Sequence, residues 1–475
     1  MLFNSFTYAV FLVVVFCAYL RLPLRGRQFF LLVMSYVFYC WETPIYGTLL
    51  AISTVLDFAC GLGLGRAEKP WARRLLLLAS VCGNLGLLGF FKYGDFFVAN
   101  VAGLGRLLGF ETAWKPMGLI LPVGISFYTF QTMSYTIQLY RRQIQPTRDF
   151  ISFALFVSFF PQLVAGPIER ASHLLPQLAT YQRVTWDDIG AGLTRIIFGF
   201  FRKLVMADRF AILADAVFAN PEGYSTFTVW SSLMAFSVQI YFDFAGYSDI
   251  AIGSARLFGI HISENFRRPL FASSIADFWN RWHLTLTGWL RDYLFYPLGG
   301  FRKGGGRALV NGMIVLLLCG LWHGASWHFV FWGGFHAVLL ALYYLWRGFR
   351  KRMGWKNPSR RLGVSVLLAV AFTYACTMFS AMFFRAPSVP VIGHMLKIMF
   401  GFRAEAALPT PWIVGAFWLV FGAFALVEFS QEYLDLNARI RRWPWALRTA
   451  SLALLAAVII LLAVNNSAPY IYFQF

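Results

Sequence analysis

A chain of 475 residues with 59% hydrophobic and only 13% charged side chains is not built for water, where about a quarter of the residues carry charge. Its mean hydropathy of +0.61 calls for lipid as the solvent. The net charge of +20 does not signal nucleic acid, because the basic residues fill the gaps between apolar runs, as at Arg21, Arg25 and Arg27, at Arg66–Arg74 and at Arg347–Arg361; that placement marks cytoplasmic loops lying against anionic lipid headgroups.

The first apolar run, Phe6–Leu20, has no positive residue before it and three arginines after it. A cleaved signal has the opposite order, so the run reads as a retained span with its N-terminus outside. A bilayer core needs about 20 apolar residues per helix. Further spans are expected at Phe29–Trp41, Ile45–Leu64, Leu75–Phe91, Met117–Tyr140 and Phe150–Val164, then at Phe227–Gly253, Leu309–Trp322 and Ser326–Trp346, and finally at Leu362–Phe384, Trp412–Phe429 and Leu447–Val464. With short or Gly/Pro-broken pieces tilted or re-entrant, the expectation is about 10–12 spans in one all-α membrane-embedded domain covering 1–475. The last span would leave Asn465–Phe475 outside.

Three stretches fit poorly as spans. Ile189–Asn220 mixes apolar residues with Arg195, Lys203 and Asp208. In Ser274–Gly300, Phe278, Trp282, Thr285, Trp289 and Tyr293 recur at spacings of three and four, which predicts an interfacial helix with an aromatic face. Val389–Phe400 reads as a third interfacial piece. Arg302–Arg307, rich in glycine, lacks the spacing of a phosphate loop and reads as a flexible basic cytoplasmic loop. The six cysteines lie in apolar runs without a CxxC pair and read as buried free thiols.

Ionisable side chains in apolar segments are expensive and mark candidate sites. His323 stands in Gly-Leu-Trp-His-Gly-Ala, among small neighbours that leave room for a ligand; a structural histidine bonded to a backbone carbonyl is the competing reading. His328 and His336 fall on other helical faces, so no metal site is expected around it. Asn280 and His283 are three apart, on one face of a helix, and His283 suits acid–base work. Asp243 and Asp249 are expected to pair with nearby arginines or to cap a break at Gly246. Glu169 and Arg170 read as an ion pair at a helix end.

Several long motifs occur in one order: LPVGISFYTFQTMSY at 121–135, FFPQLVAGPIER at 159–170, YFDFAGYSDIAIG at 241–253, ENFRRP at 264–269, FWNRWH at 278–283, WLRDYLFYPLGG at 289–300 and GLWHGASW at 320–327. On these the chain resembles the membrane-bound O-acyltransferase (MBOAT) family. Within it the likeness is to the bacterial branch that includes the alginate O-acetylation membrane subunit and the D-alanyl transfer protein of teichoic acid. The likeness is densest over about 117–340, and the C-terminal YIYFQF also fits the alginate type.

The resemblance implies a helical bundle with a central tunnel or funnel in the bacterial inner membrane, where the outside termini expected from the charge placement would be periplasmic. It implies that His323 is the family's invariant histidine and His283 its second characteristic position. His323 would take the proton of the acceptor hydroxyl; His283 would orient the acyl group or donate to the developing oxyanion. Asn280, Trp282, Trp322, Tyr241, Asp243, Asp249 and Arg291 would line the tunnel. No metal and no bound cofactor are expected. The acyl donor would be cytoplasmic, acetyl-CoA or an acylated carrier protein. The product would be an acylated exported polysaccharide such as alginate or cellulose, reached through a periplasmic partner protein. D-alanyl transfer to teichoic acid, and a polytopic transporter or flippase with proton-carrying His and Asp residues, are the alternatives.

Overall fold

The computed structural model describes residues 1–110, 115–355, 362–403, 411–463 and 469–471, and they form helices without a strand among them. Lipid offers the backbone no hydrogen-bond partners, so each spanning segment must satisfy its own. The first nine helices are α1 (Phe6–Leu20), α2 (Leu24–Tyr39), α3 (Tyr46–Arg66), α4 (Pro70–Leu88), α5 (Gly94–Leu107), α6 (Ile125–Tyr140), α7 (Phe150–Ser158), α8 (Ala171–Ala179) and α9 (Trp186–Phe200). Then come α10 (Asp208–Ala219), α11 (Thr226–Leu257), α12 (Ile275–Trp279), α13 (Leu284–Leu290), α14 (Gly304–His323) and α15 (Trp327–Arg352). The chain continues through α16 (Val364–Arg385), α17 (Val389–Phe400), α18 (Pro411–Tyr433), α19 (Leu436–Arg441) and α20 (Trp445–Leu462).

Seven helical runs among the described residues are long and apolar enough to cross a membrane: α3, Pro70–Leu107, α14, α15, α16, Ile413–Tyr433 and α20. Phe6–Leu20 and Val389–Phe400 are shorter apolar helices with the bounds read from the sequence. Two of the other expected runs are shorter as helices, whereas α11 covers Phe227–Gly253 in full. Met117–Gly124 is not helical, and α6 begins only after Gly124, whose φ is +81°. That left-handed turn needs glycine, since a Cβ there would lie 2.9 Å from the Leu163 carbonyl oxygen. Likewise α7 stops at Ser158, well before Val164. Part of the basic loop, 356–361, and 472–475 of the C-terminal motif lie outside the described residues.

Contacts divide the chain into two units. The first comprises Met1–Phe198 with Tyr247–Glu264, and the second Gly199–Gly246 with Asn265–Ile471. In the first unit, α3, α4 and α6 pack around a buried polar network. Asp57 accepts hydrogen bonds from the Ser80 hydroxyl at 2.5 Å and the Asn84 amide at 2.8 Å, and Ser80 also meets Thr136 at 2.8 Å. Here too Asp249 on α11 binds Arg195 of α9 at 2.6 Å, and Arg195 clamps Glu264 with its other two nitrogens. Glu169 is not a surface partner of Arg170. It is buried, bonds His173 at 2.7 Å and accepts the Ser263 N–H. Cys60 is buried, but Cys17 and Cys82 face outward, against the expectation for all six thiols.

In the second unit α11 runs on without a break at Gly246, which instead lets the Gly199 backbone approach; a Cβ would lie 2.8 Å from that carbonyl oxygen. Asp243 pairs with Lys203 at 2.8 Å rather than with an arginine, and Lys203 also holds Asp208 at 2.8 Å. Lys203 is 1% exposed, so the three charges are stable only together. The Ile471 backbone N–H donates to the other Asp243 oxygen at 2.8 Å, and the Tyr470 ring lies 4.7 Å from the Lys203 ammonium. The glycines of the expected flexible loop open α14, which begins at Gly304.

Candidate active site

Two elements of the second unit carry the histidines. α14 ends at His323 because Gly324 turns into extended backbone and lets the chain fold back as α15. Those antiparallel helices approach where neither has a side chain: Gly320 and Gly333 face each other, and a Cβ on Gly320 would lie 3.2 Å from the Gly333 Cα. Small residues at such a crossing let membrane helices pack backbone to backbone. His323 is thereby buried, with Trp332 at 5.1 Å and Phe384 at 5.2 Å from its ring and the Cys319 sulfur 4.0 Å from Nε2.

His283 does not sit on a continuous helix. Ser274 caps α12 by accepting the Asp277 N–H, α12 ends at Trp279, and the chain turns before α13. His283 occupies that turn with φ +43°, an uncommon conformation for a residue with a side chain. Asn280 and His283 therefore do not share a helical face. Asn280 is exposed and folds onto the Ala276 carbonyl, whereas His283 has no exposed surface and its Nδ1 lies 3.0 Å from Asn265 Oδ1. Burial pushes the His283 imidazole down to about 3, so it is neutral at pH 7.

One side chain joins the two histidines. The Trp322 ring lies 5.0 Å from His323 and 6.1 Å from His283. Trp282 packs on Phe266 at 5.1 Å and reaches Tyr241 at 6.4 Å, so both belong to the same aromatic wall. Asp243 lies two residues beyond Tyr241 on α11, about half a turn round the helix, and is engaged by Lys203 and Ile471. Asp249 falls in the first unit, on Arg195. Of the other histidines, His336 bonds Ser380 at 2.9 Å and His328 the Phe383 carbonyl at 3.1 Å.

A cavity of about 930 Å³ lies in this unit between α14, α15 and the α12–α13 segment. One end is basic, with Arg291, Arg347, Lys351 and Arg352 beside Gly305 and Gly306 of α14. The other is apolar and closes on Trp279, Leu316 and Cys319, one helical turn from His323. Asn280 and Arg291 are lining residues; Arg291 is also paired with Asp292 at 2.9 Å. The buried indole N–H of Trp279 has no hydrogen-bond acceptor among the described residues. Sequence reasoning missed Asn265, Trp279 and Cys319. The motif ENFRRP contained the first, but no spacing rule ties it to a histidine 18 positions away.

A helical membrane bundle with two buried histidines around one tryptophan, and beside them a cavity with a cationic mouth that ends at Cys319 and is lined by neither histidine, fits an enzyme of acyl transfer. The chain belongs to the membrane-bound O-acyltransferase (MBOAT) family, whose match covers residues 125–385. It is an O-acyltransferase of that family. Among its relatives, the protein named "Probable alginate O-acetylase AlgI" of Pseudomonas putida is 36% identical over 95% of this chain and 95% of its own. The "Peptidoglycan O-acetyltransferase" of Helicobacter pylori is 34% identical over 81% of this chain and 75% of its own. The "Teichoic acid D-alanyltransferase" of Bacillus subtilis is 29% identical over 55% of this chain and 68% of its own.

Proposed function

We propose that this O-acyltransferase moves an acetyl group from a cytoplasmic thioester toward hydroxyls of an exported polysaccharide, with alginate or cellulose as the polymer class. The observation that carries the reading is the cavity that runs from four cationic side chains to Cys319, whose sulfur lies 4.0 Å from His323 Nε2. From Gly305 to Cys319 the helix rises about 21 Å, a length that suits an extended phosphopantetheine arm. Phosphates of acetyl-CoA would lie at Arg347 and Arg352, and an amide carbonyl of the arm would give the Trp279 N–H its acceptor. A bound donor would leave its thioester next to His323. The acceptor oxygen attacks the thioester carbonyl carbon, and the His323 imidazole takes the hydroxyl proton. The carbon–sulfur bond breaks, and His323 returns that proton to the departing thiolate.

The acetyl group, rather than D-alanine, is supported by the near full-length similarity to alginate O-acetylases against the partial similarity to teichoic acid D-alanyltransferases. Arg347–Arg352 at the end of α15 supports a cytoplasmic mouth, and hence an inner-membrane protein with periplasmic termini. A separate periplasmic protein would hand the group to the polymer.

The test is transfer of labelled acetyl from acetyl-CoA by the reconstituted protein, supplied with membranes holding the polymer and periplasmic extract. His323→Ala abolishes transfer while leaving insertion and melting unchanged. Arg347→Glu combined with Arg352→Glu raises the KM for acetyl-CoA without removing activity. Normal transfer by His323→Ala would defeat the catalytic assignment, and an unchanged KM would defeat the placement of the donor.

A further inference from the structure

Asn265 closes the turn that presents His283, and it does so with both of its oxygens. Its backbone carbonyl accepts the Leu284 N–H at 2.9 Å. Its side-chain Oδ1 accepts the Thr285 hydroxyl at 2.9 Å and the Thr285 backbone N–H at 3.4 Å. A backbone N–H can only donate, so the amide atom that faces it is the oxygen and not the nitrogen. That same oxygen lies 3.0 Å from His283 Nδ1. An amide oxygen cannot donate, so the hydrogen between the two atoms belongs to the ring nitrogen.

Neutral imidazole has a single N–H, and fixing it on one nitrogen leaves the other with a lone pair. The ring is enclosed by Phe244 at 4.8 Å, Trp322 at 6.1 Å and Phe266 at 6.4 Å, and it has no exposed surface, so bulk water cannot exchange its proton freely. Asn265 itself is fully buried, and the pairing of Arg267 N–H with the Arg281 carbonyl at 2.9 Å holds its strand of chain against the turn.

We propose that Asn265 is a positioning residue that locks His283 in its Nδ1–H tautomer, so that Nε2 accepts a hydrogen bond from the acceptor hydroxyl rather than donating one to the oxyanion. The role rests on the acyl-transfer reading. It assigns the two histidines different tasks: His283 aims the hydroxyl, and His323 takes its proton. The oxyanion must then be met by another donor.

Two measurements test it. The first is 15N NMR of the histidine-labelled protein in detergent, with the His283 signals assigned by their loss in His283→Gln. The expected pattern is a protonated Nδ1 and a bare Nε2; the reverse pattern overturns the proposal. The second is steady-state transfer from acetyl-CoA. Asn265→Ala lowers kcat about 10- to 100-fold with the KM for acetyl-CoA unchanged, the range seen when the partner that orients a metal-bound imidazole is removed. Asn265→Asp keeps the oxygen acceptor and recovers most of kcat. A wild-type kcat in Asn265→Ala, or an Asn265→Asp no better than alanine, overturns the proposal. The spectrum reads the tautomer without turnover. An inactive wild type showing the expected tautomer would therefore refute the acyl-transfer reading and not the hold of Asn265 on the ring.

Discussion

The close approach of α14 and α15 can be broken with one methyl group. A Cβ on Gly320 would run into the Phe329 carbonyl oxygen and lie 3.2 Å from the Gly333 Cα, whereas ordinary contact begins at 3.4 Å. Both obstacles are backbone and cannot rotate away, so Gly320→Ala forces the helices apart by roughly 1 Å, at a cost of about 1–3 kcal/mol for overpacking. His323 lies one turn further along α14 and moves with it. A displacement of that size at a reacting group costs about 100-fold in rate. Gly312→Ala and Gly334→Ala are the controls on the same two helices, because their methyl groups would meet only Leu340 Cδ2 at 3.7 Å and Leu317 Cδ2 at 3.6 Å. Acetyl transferred per mole of inserted protein, with melting followed by helicity in detergent, is the assay. Gly320→Ala should fall by about two orders of magnitude and the controls by less than a factor of about three. Equal activity and equal melting for Gly320→Ala and Gly312→Ala would refute the reasoning that backbone contact sets the position of His323.

Lys203→Met strands two buried carboxylates, Asp208 and Asp243. The expected loss is about 3–5 kcal/mol, read as reduced yield and a lower melting temperature, with partial recovery when Asp243→Asn is added. Asp57→Ala removes the acceptor of the Ser80 hydroxyl and the Asn84 amide and should cost about 1–3 kcal/mol; Asp57→Asn, which keeps one acceptor, should melt above it. The Glu169 hydrogen bond raises the half-exposed His173 imidazole above its ordinary 6.5. Its contribution is therefore complete below about pH 6.5 and fades as pH climbs through the raised value. His173→Gln should lower melting slightly at about pH 6 and by less at about pH 8.5, and a gap that widens with pH would contradict this.

His323 was legible because its cost is local: a histidine at the end of an apolar run, between glycine and tryptophan, stands out without any knowledge of its neighbours. The tryptophan that joins it to His283 was legible for the same reason. The turn at His283 was not. A period of three and four from Phe278 to Tyr293 assumes a continuous helix, but the chain turns between Trp279 and Leu284 to let Asn265 reach in, and no local preference announces a left-handed histidine. Asp243 and Asp249 were rightly judged too costly to stand alone, yet their partners are 40 and 54 residues away, and nothing in spacing distinguishes Lys203 from an arginine for one of them. The glycines at 304–306 looked like a loop because glycine is a poor helix former; in the structure they open a membrane helix at the mouth of the cavity.

The bond between Asp243 and the Ile471 N–H spans 228 positions of sequence. A ribosome feeding this chain into the bilayer makes Lys203, Asp208 and Asp243 more than two hundred residues before Ile471. Until Ile471 emerges, one oxygen of a buried carboxylate waits for its donor. A chain cut anywhere between Asp243 and Ile471 shares that defect, however completely its helices have inserted. The interior of the second unit is thus closed by a backbone N–H made long after the charges it serves.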